Sequence, residues 1–147
     1  MISTDSALAL RAAGLVWHPV SGDRFQLNEP EFEADVFTVS EMTIEPREYS
    51  TGKILSFNGT TEWALDSVAL DDALWLPRED QLRDLLGASF RSLERVEATE
   101  TLDDVSLPVA AYRVVTVVDG APREIEATDA ADAYARALIV LLDSIAD

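Results

Sequence analysis

The chain has 147 residues, 48% of them hydrophobic, and its 28 acidic and 11 basic residues give a formal net charge of -17. A surface this negative repels the phosphates of nucleic acids and the headgroups of anionic lipids, which excludes both as partners. The hydrophobic content is far above that of a disordered acidic chain, so we expect one folded domain over residues 1–147.

Cysteine is absent, which excludes disulfides, thiolate catalysis and sulfur-ligated metals. No segment reaches the roughly 18 consecutive apolar residues of a membrane span. The N-terminal residues lack the basic and apolar regions of a secretory signal. We therefore expect a cytoplasmic protein that contacts no membrane.

The first predicted element is a short helix over residues 6–13. Thr4 or Asp5 can cap it, since short polar side chains accept a hydrogen bond from the first turn. Gly14 stands where a helix commonly ends. An N-terminal helix of about two turns follows.

The next segments alternate between extended pieces and turns. Residues 15–19 and 24–27 flank a Ser-Gly-Asp turn, which predicts a β-hairpin. Residues 36–39 are rich in β-branched and aromatic side chains and are predicted as a strand. Residues 62–68 follow two threonines that can cap a helix, and their apolar spacing favours one.

The clearest helix start surrounds Pro77, because proline suits a first helical turn in which its missing N–H is not needed. Glu79 and Asp80 complement the positive end of the helix dipole. Gly87 is a fitting C-terminal stop. Three leucines then fall at the spacing of one buried stripe: Leu82, Leu85 and Leu86.

The last third of the chain predicts a sheet. Residues 90–98 are predicted as a strand and the acidic residues 99–104 as its exit loop. Residues 110–118 carry apolar side chains at both odd and even positions, which is typical of a central strand covered on both faces. Residues 123–127 alternate as a more exposed neighbouring strand does.

A final helix follows, capped by Thr128 or Asp129 and running to about Ile145. Its apolar side chains are spaced as one stripe against a sheet: Tyr134, Leu138, Leu141 and Ile145. Together the elements predict an α+β domain. In it, a small mixed or antiparallel sheet is packed by an N-terminal helix, a Pro77 helix and a C-terminal helix.

One group of acidic residues has the composition of a metal site. Asp66, Asp71 and Asp72 lie within seven positions, and close carboxylates can bind Mg²⁺ or Ca²⁺ or divide acid and base roles. The calcium-loop pattern is missing, because Ala69 and Leu70 stand where oxygen ligands should recur. In so acidic a chain a cluster of this kind arises readily by chance.

Other motifs predict no catalytic residue and no cofactor. His18 is the only histidine, and without a second one at metal-binding spacing it is predicted to be structural or surface-exposed. The segment around Lys53 lacks the upstream glycine and the following Ser or Thr of a phosphate-binding loop. The sequence therefore favours a non-enzymatic role.

Tryptophans are the remaining unusual residues, at positions 17, 63 and 75. Tryptophan is enriched in interaction hot spots, although three in one domain are explained equally well as core anchors. Trp75 lies beside the predicted helix start. We therefore take Trp75, Pro77 and Arg78 as the candidate interaction surface, for a protein partner or for self-association.

Residues 57–68 and 75–86, with residues 10–25, resemble a family of small uncharacterised actinobacterial proteins, and the similarity covers most of the chain. A Trp-Leu-Pro-x-x-x-x-Leu segment is also similar to one in uncharacterised phage-type bacterial proteins. Some members of the first family carry a pilus-assembly label, in the style of the ATPase-like localisation protein of tight-adherence pili. The resemblance implies a bacterial origin and brings no known catalytic residues.

The sequence thus predicts a soluble acidic accessory domain that binds a protein. Two alternatives stay open. One is a metal-assisted hydrolase that uses Asp66, Asp71 and Asp72. The other is an acidic inhibitor or immunity-type protein that occupies a basic surface, for which the net charge is the basis.

Overall fold

The computed structural model describes residues 1–28, 35–39, 45–49, 52–56, 67–69 and 72–146. Contacts divide the chain into two compact units: Met1–Leu15 with Pro77–Asp147, and Val16–Leu76. The described helices lie in the first unit, and both units contain antiparallel sheet, so the predicted α+β class is confirmed. One cooperative domain over residues 1–147 stays a prediction.

The described elements follow in chain order: α1 (Thr4–Ala12), β1 (Arg24–Leu27), β2 (Phe37–Thr38), β3 (Glu45–Tyr49), β4 (Gly52–Ser56), β5 (Ser67–Ala69), β6 (Ala73–Leu76), α2 (Glu79–Leu86), a 3-10 turn (Gly87–Ser89), β7 (Phe90–Leu102), β8 (Val105–Val118), β9 (Ala121–Ala127) and α3 (Ala130–Ala146). The described strands form antiparallel sheets with the orders β2-β1-β6, β3-β4-β5 and β7-β8-β9. Within these ranges, no helix has the length and apolar content needed to cross a bilayer.

In the first unit, α3 contacts β8 and β9, and both α1 and α2 contact α3. The predicted cap of α3 is confirmed, since Asp129 Oδ1 accepts a hydrogen bond from the Ala131 amide at 2.8 Å. The buried face of the helix is rich in alanine: Ala131, Ala133, Tyr134, Ala135, Ala137 and Leu138. The predicted stripe therefore holds in the first half of α3, while Leu141 is half-buried and Ile145 is exposed.

α1 begins earlier than its sequence predicts. Ser3 is the N-cap, and its Oγ accepts a hydrogen bond from the Ser6 amide at 3.2 Å. The predicted caps, Thr4 and Asp5, lie inside the first turn instead. Gly14 has a φ of 106°, a left-handed value that favours glycine, so the predicted stop is confirmed.

α2 begins later than predicted, at Glu79 with Arg78 as the N-cap. The Arg78 amide donates to Gln81 Oε1 at 2.9 Å, which satisfies one of the N–H groups that a helix start leaves free. Pro77 thus precedes the helix and does not occupy its first turn. Leu82 and Leu86 are buried as predicted, whereas Leu85 is exposed.

The second unit contains β1 between β2 and β6, so the predicted hairpin of residues 15–19 with residues 24–27 is wrong. β1 pairs over a longer range: Phe25 lies opposite Phe37 on one side and opposite Trp75 on the other. Trp17 packs against this sheet, with its ring 5.5 Å from Phe25 and 6.4 Å from Trp75 between centroids. An aromatic core outweighs the local turn signal here.

Two further predictions concern this unit, a strand over residues 36–39 and a helix over residues 62–68. The strand predicted over residues 36–39 contains β2. Of the helix predicted over residues 62–68, residues 62–66, including Trp63, lie outside the described residues. Ser67 and Val68 belong to β5, so the helix prediction is wrong at its end.

The side chain of Thr116 on β8 is fully buried, and its hydroxyl forms no hydrogen bond within the described part of the chain. A buried polar group without a partner lowers stability. We expect Thr116→Val to raise the free energy of unfolding by about 1 kcal/mol, because valine keeps the shape and removes the hydroxyl. Urea unfolding measures this.

Thr116→Ser is the matched control. It keeps the hydroxyl and loses the methyl group, so it should lower the free energy of unfolding. A loss of stability in the valine variant would instead mean that the hydroxyl makes a stabilising hydrogen bond.

Candidate functional site

The most prominent feature of the first unit is a long hairpin formed by β7 and β8. These strands have 13 and 14 residues, and they pair from Phe90↔Thr116 to Leu102↔Val105. Asp103 and Asp104 connect them, with φ values of 50° and 63°. Positive φ at both loop residues is the mark of a type I′ turn, whose twist matches that of the flanking strands.

The outer half of this hairpin is a two-stranded ribbon. β9 pairs with β8 only from Tyr112 to Val118, whereas β7 continues along β8 as far as Val105. We call the segment Val96–Leu102 with Val105–Ala111 the arm. Its residues are exposed or half-buried except Ala111, which lies at its base and is buried.

One face of the arm is mostly apolar. Leu102, Val105 and Leu107 have exposed fractions of 59%, 54% and 50%. Leu102 lies directly opposite Val105, and Leu107 is two residues further along β8, so the three side chains lie on the same face. Toward the base, this face continues through the cross-strand pairs Ala98↔Val109 and Val96↔Ala111. Glu100 lies opposite Leu107 on the same face, so this stripe is apolar except for one carboxylate.

A row of charges borders the stripe at the base of the arm. Arg113 on β8 lies opposite Glu94 on β7 and Glu126 on β9. Its Nη2 is 2.7 Å from Glu126 Oε1, and its Nη1 is 3.6 Å from Glu94 Oε2. The hydrogen bond to Glu126 is the main cause that raises the pKa of Arg113. The guanidinium is thus held by two carboxylates of its own sheet.

The acidic cluster predicted as a metal site is only partly described. Asp66 and Asp71 lie outside the described residues. Asp72 is exposed, and its carbonyl accepts a hydrogen bond from the Asn28 amide at 2.8 Å. Among described side chains, no three of His, Cys, Asp or Glu are grouped as metal ligands. The metal site therefore stays a prediction.

The predicted interaction residues have packing roles as well. In the second unit, Trp75 is half-buried and stacks on Trp17 with an angle of 12° between the rings, and its buried Nε1 donates to no described residue. In the first unit, Pro77 is fully buried. Arg78 is half-buried, and its Nε lies 3.1 Å from Asp80 Oδ1. This hydrogen bond lowers the pKa of the Asp80 carboxyl. Neither Trp75 nor Pro77 offers a fully exposed side chain.

Sequence reasoning missed Asp23, which is 1% exposed in the second unit. Its Oδ2 accepts hydrogen bonds from Trp17 Nε1 at 2.9 Å and from the Val20 amide at 3.0 Å. The carboxylate thus holds the turn that precedes β1 and orients the indole. His18, which follows Trp17 in the chain, is exposed, in agreement with the surface position that was one of its two predicted roles.

Sequence reasoning also missed the arm, because residues 99–104 were predicted as a loop. The available signal was an Asp-Asp pair between Leu102 and Val105, with apolar residues on both sides, which is a hairpin pattern.

No protein family, curated protein or solved structure matches this chain.

Proposed function

We propose that this protein is a non-enzymatic accessory domain that binds another protein chain through the apolar face of the arm. The supporting observation is the group of exposed apolar side chains Leu102, Val105 and Leu107 on one face. Full burial of an exposed side chain of this size contributes about 1.5–3 kcal/mol, and these three are each about half covered already, so a partner gains about half of that from each. Three together can supply the centre of an interface. Their surroundings are polar, as the rim of an interface is.

The shape of the arm supports the same function. A two-stranded ribbon is marginally stable in water unless another strand or layer packs on it. The arm extends beyond the pairing of β9, so its outer half has only its own two strands among the described residues. A partner that covers the apolar face would supply the missing layer.

The alternatives predict different behaviour. A hydrolase built on Asp66, Asp71 and Asp72 would depend on a bound cation, and it stays a prediction because Asp66 and Asp71 lie outside the described residues. An acidic inhibitor would form a complex that weakens strongly with added salt, because charge would dominate its contacts. Binding through the arm should depend little on salt, since burial of apolar surface drives it.

We further propose that the protein acts in the cytoplasm and binds neither nucleic acid nor membrane, for which its charge and lack of cysteine are the support. The resemblance to small actinobacterial proteins, some with a pilus-assembly label, remains a hypothesis about its origin. The apolar face of the arm could bind a pilus-assembly protein or another protein equally well.

Site-specific photo-crosslinking in the producing cells tests the role of the arm. A photoreactive residue at Leu107 should yield a covalent adduct with a protein. The same residue at Ile145, an even more exposed apolar position at the end of α3, should not. Val105→Ser in the Leu107-labelled chain should reduce the adduct several-fold, because the neighbouring contact is lost.

Equal adducts at both positions would indicate random collisions and contradict the proposal. Failure of the Leu107 position to yield any adduct would contradict it as well.

A further inference from the structure

β7 is the edge strand of its sheet among the described residues, since the order is β7-β8-β9. It is 13 residues long, and most of its side chains are exposed. An edge strand presents a row of backbone N–H and C=O groups that can pair with a further strand. Proteins usually keep such edges short or cover them. A long edge on a protruding ribbon therefore needs an explanation.

Two charges at the centre of β7 have no ion-pair partner among the described residues. Arg95 and Glu97 flank Val96, which is the midpoint of the strand, and all three lie along a groove of about 400 Å³. Within the described part of the chain neither charge forms an ion pair, whereas Glu94 is paired with Arg113. Arg95 lies opposite Tyr112 and Glu97 opposite Ala110, so both charged side chains share one face of the sheet.

A second copy of β7 satisfies both charges in one antiparallel register. When Val96 lies opposite the same residue of the other copy, Arg95 lies opposite the other copy's Glu97, and the reverse pair forms too. Opposite charges at directly facing positions stabilise a strand pair, while like charges destabilise it.

Neighbouring registers are less favourable. Those centred on Glu94, Arg95 or Glu97 place like charges directly opposite each other on the axis. A register centred on Ala98 brings no charges together. The register with the best charge pairing is therefore also the one centred on the strand.

We infer that two copies of this chain pair antiparallel through the edge of β7, with a two-fold axis at Val96. The inference goes beyond the proposed function, because the pairing uses the edge of β7 and leaves the apolar face of each arm free to bind another protein. The two three-stranded sheets then form one six-stranded sheet with the order β9-β8-β7-β7-β8-β9.

The pairing adds a third strand to the two-stranded arm. Because the two β7 strands run in opposite directions, Glu100 near the tip of one arm lies opposite Ser92 at the base of the other copy. Each ribbon gains a third strand over residues 96–100, and the register shift between Phe90 and Ser92 ends the pairing at the base. The apolar faces of the two arms lie on the same side of the joined sheet, since a two-fold axis perpendicular to the sheet preserves the faces.

Exchanging charges between two variants tests this register. Arg95→Glu places two carboxylates opposite each other at each contact, and Glu97→Arg places two guanidinium groups there. The dimer affinity of each variant alone should be at least about tenfold weaker than that of the natural chain. In a mixture of the two variants, every acidic position faces a basic one, so a heterodimer should form with the natural affinity.

Sedimentation or light scattering measures the outcome against the chain mass of 16.1 kDa. The natural chain and the mixture should have twice this mass, and each variant alone should have a lower average mass. A natural chain that stays at 16.1 kDa at high micromolar concentration would overturn the inference. So would a mixture that associates no better than the separate variants.

A crosslink checks the axis independently, because the chain contains no cysteine of its own. Val96→Cys should give a covalent dimer with a short bismaleimide. Leu102→Cys is the control, since twelve residue steps of about 3.4 Å would separate it from its copy by roughly 40 Å. Equal crosslinking of both variants would contradict the proposed register.

The two proposals can fail separately. If the purified chain is monomeric while Leu107 crosslinks to a different protein in cells, self-pairing fails and the binding function stands. If the chain is monomeric and Leu107 yields no adduct, both fail.

Discussion

Asp23→Ala is expected to lower the free energy of unfolding by about 3 kcal/mol. The carboxylate is buried and accepts hydrogen bonds from Trp17 Nε1 and the Val20 amide. Alanine would leave the buried Trp17 Nε1 and the part-buried Val20 amide without this acceptor, and each buried donor left unpaired costs about 1–3 kcal/mol. Urea unfolding followed by tryptophan fluorescence measures the change, because Trp17 and Trp75 lie in the same unit as Asp23.

Asp23→Asn is the matched control for this prediction. Its amide oxygen can accept the same two hydrogen bonds, so it should lose less stability than the alanine variant. Its Trp17 fluorescence should also stay closer to that of the natural chain. An alanine variant within experimental error of the natural stability would show that water satisfies the two donors, contrary to the prediction.

Tyr134→Ala is expected to lower the free energy of unfolding by about 3–5 kcal/mol, the range for removing a large buried aromatic side chain. Tyr134 is fully buried on α3, and its ring lies 5.7 Å from that of Phe90 on β7. The substitution would leave a cavity between the helix and the sheet that carries the arm. Far-ultraviolet circular dichroism during urea unfolding measures the effect on the helices.

Tyr134→Phe separates the ring from the hydroxyl. The hydroxyl accepts a hydrogen bond from Arg83, which raises the pKa of that guanidinium. Because Arg83 is exposed and can bond to water instead, the phenylalanine variant should keep most of the stability. A loss in this variant as large as that of alanine would assign the stability to the hydrogen bond and contradict the packing argument.

The three described helices of the first unit were predictable because their signals are local. Gly14, Asp129 and Gly87 each act on the backbone within one turn of their own position, and the structure confirms all three. Where the prediction was wrong by a few residues, a nearby side chain of the same kind competed. Ser3 took the capping role that Thr4 and Asp5 could also fill.

Strand pairing was much less predictable. β1 pairs with residues 37–38 and 73–76, which lie far along the chain. Its choice depends on packing Trp17, Phe25 and Trp75 together, and no local signal identifies these contacts. The nearby turn therefore suggested the wrong partner.

The candidate site shows the same contrast between local sequence signals and contacts that form between distant segments. The tip of the arm, residues 99–104, was predicted as an acidic loop, since aspartate is common in turns. In the structure, residues 99–102 extend β7 because each has a cross-strand partner in β8, and only Asp103 and Asp104 form the turn. Conversely, Trp75 and Pro77 looked like surface anchors by residue type, yet the structure places Pro77 in the interior and half-buries Trp75.

Acidity, the absence of cysteine, the α+β class and the approximate helix positions follow from composition and short-range pattern. These properties depend on the residues themselves or on neighbours within a turn. Other features depend on which distant segments meet: the arm, its mostly apolar face, the buried Asp23, and the charges at the centre of β7 that have no ion pair among the described residues. That choice is made by the sum of many contacts over the folded chain, and no short window of sequence contains it.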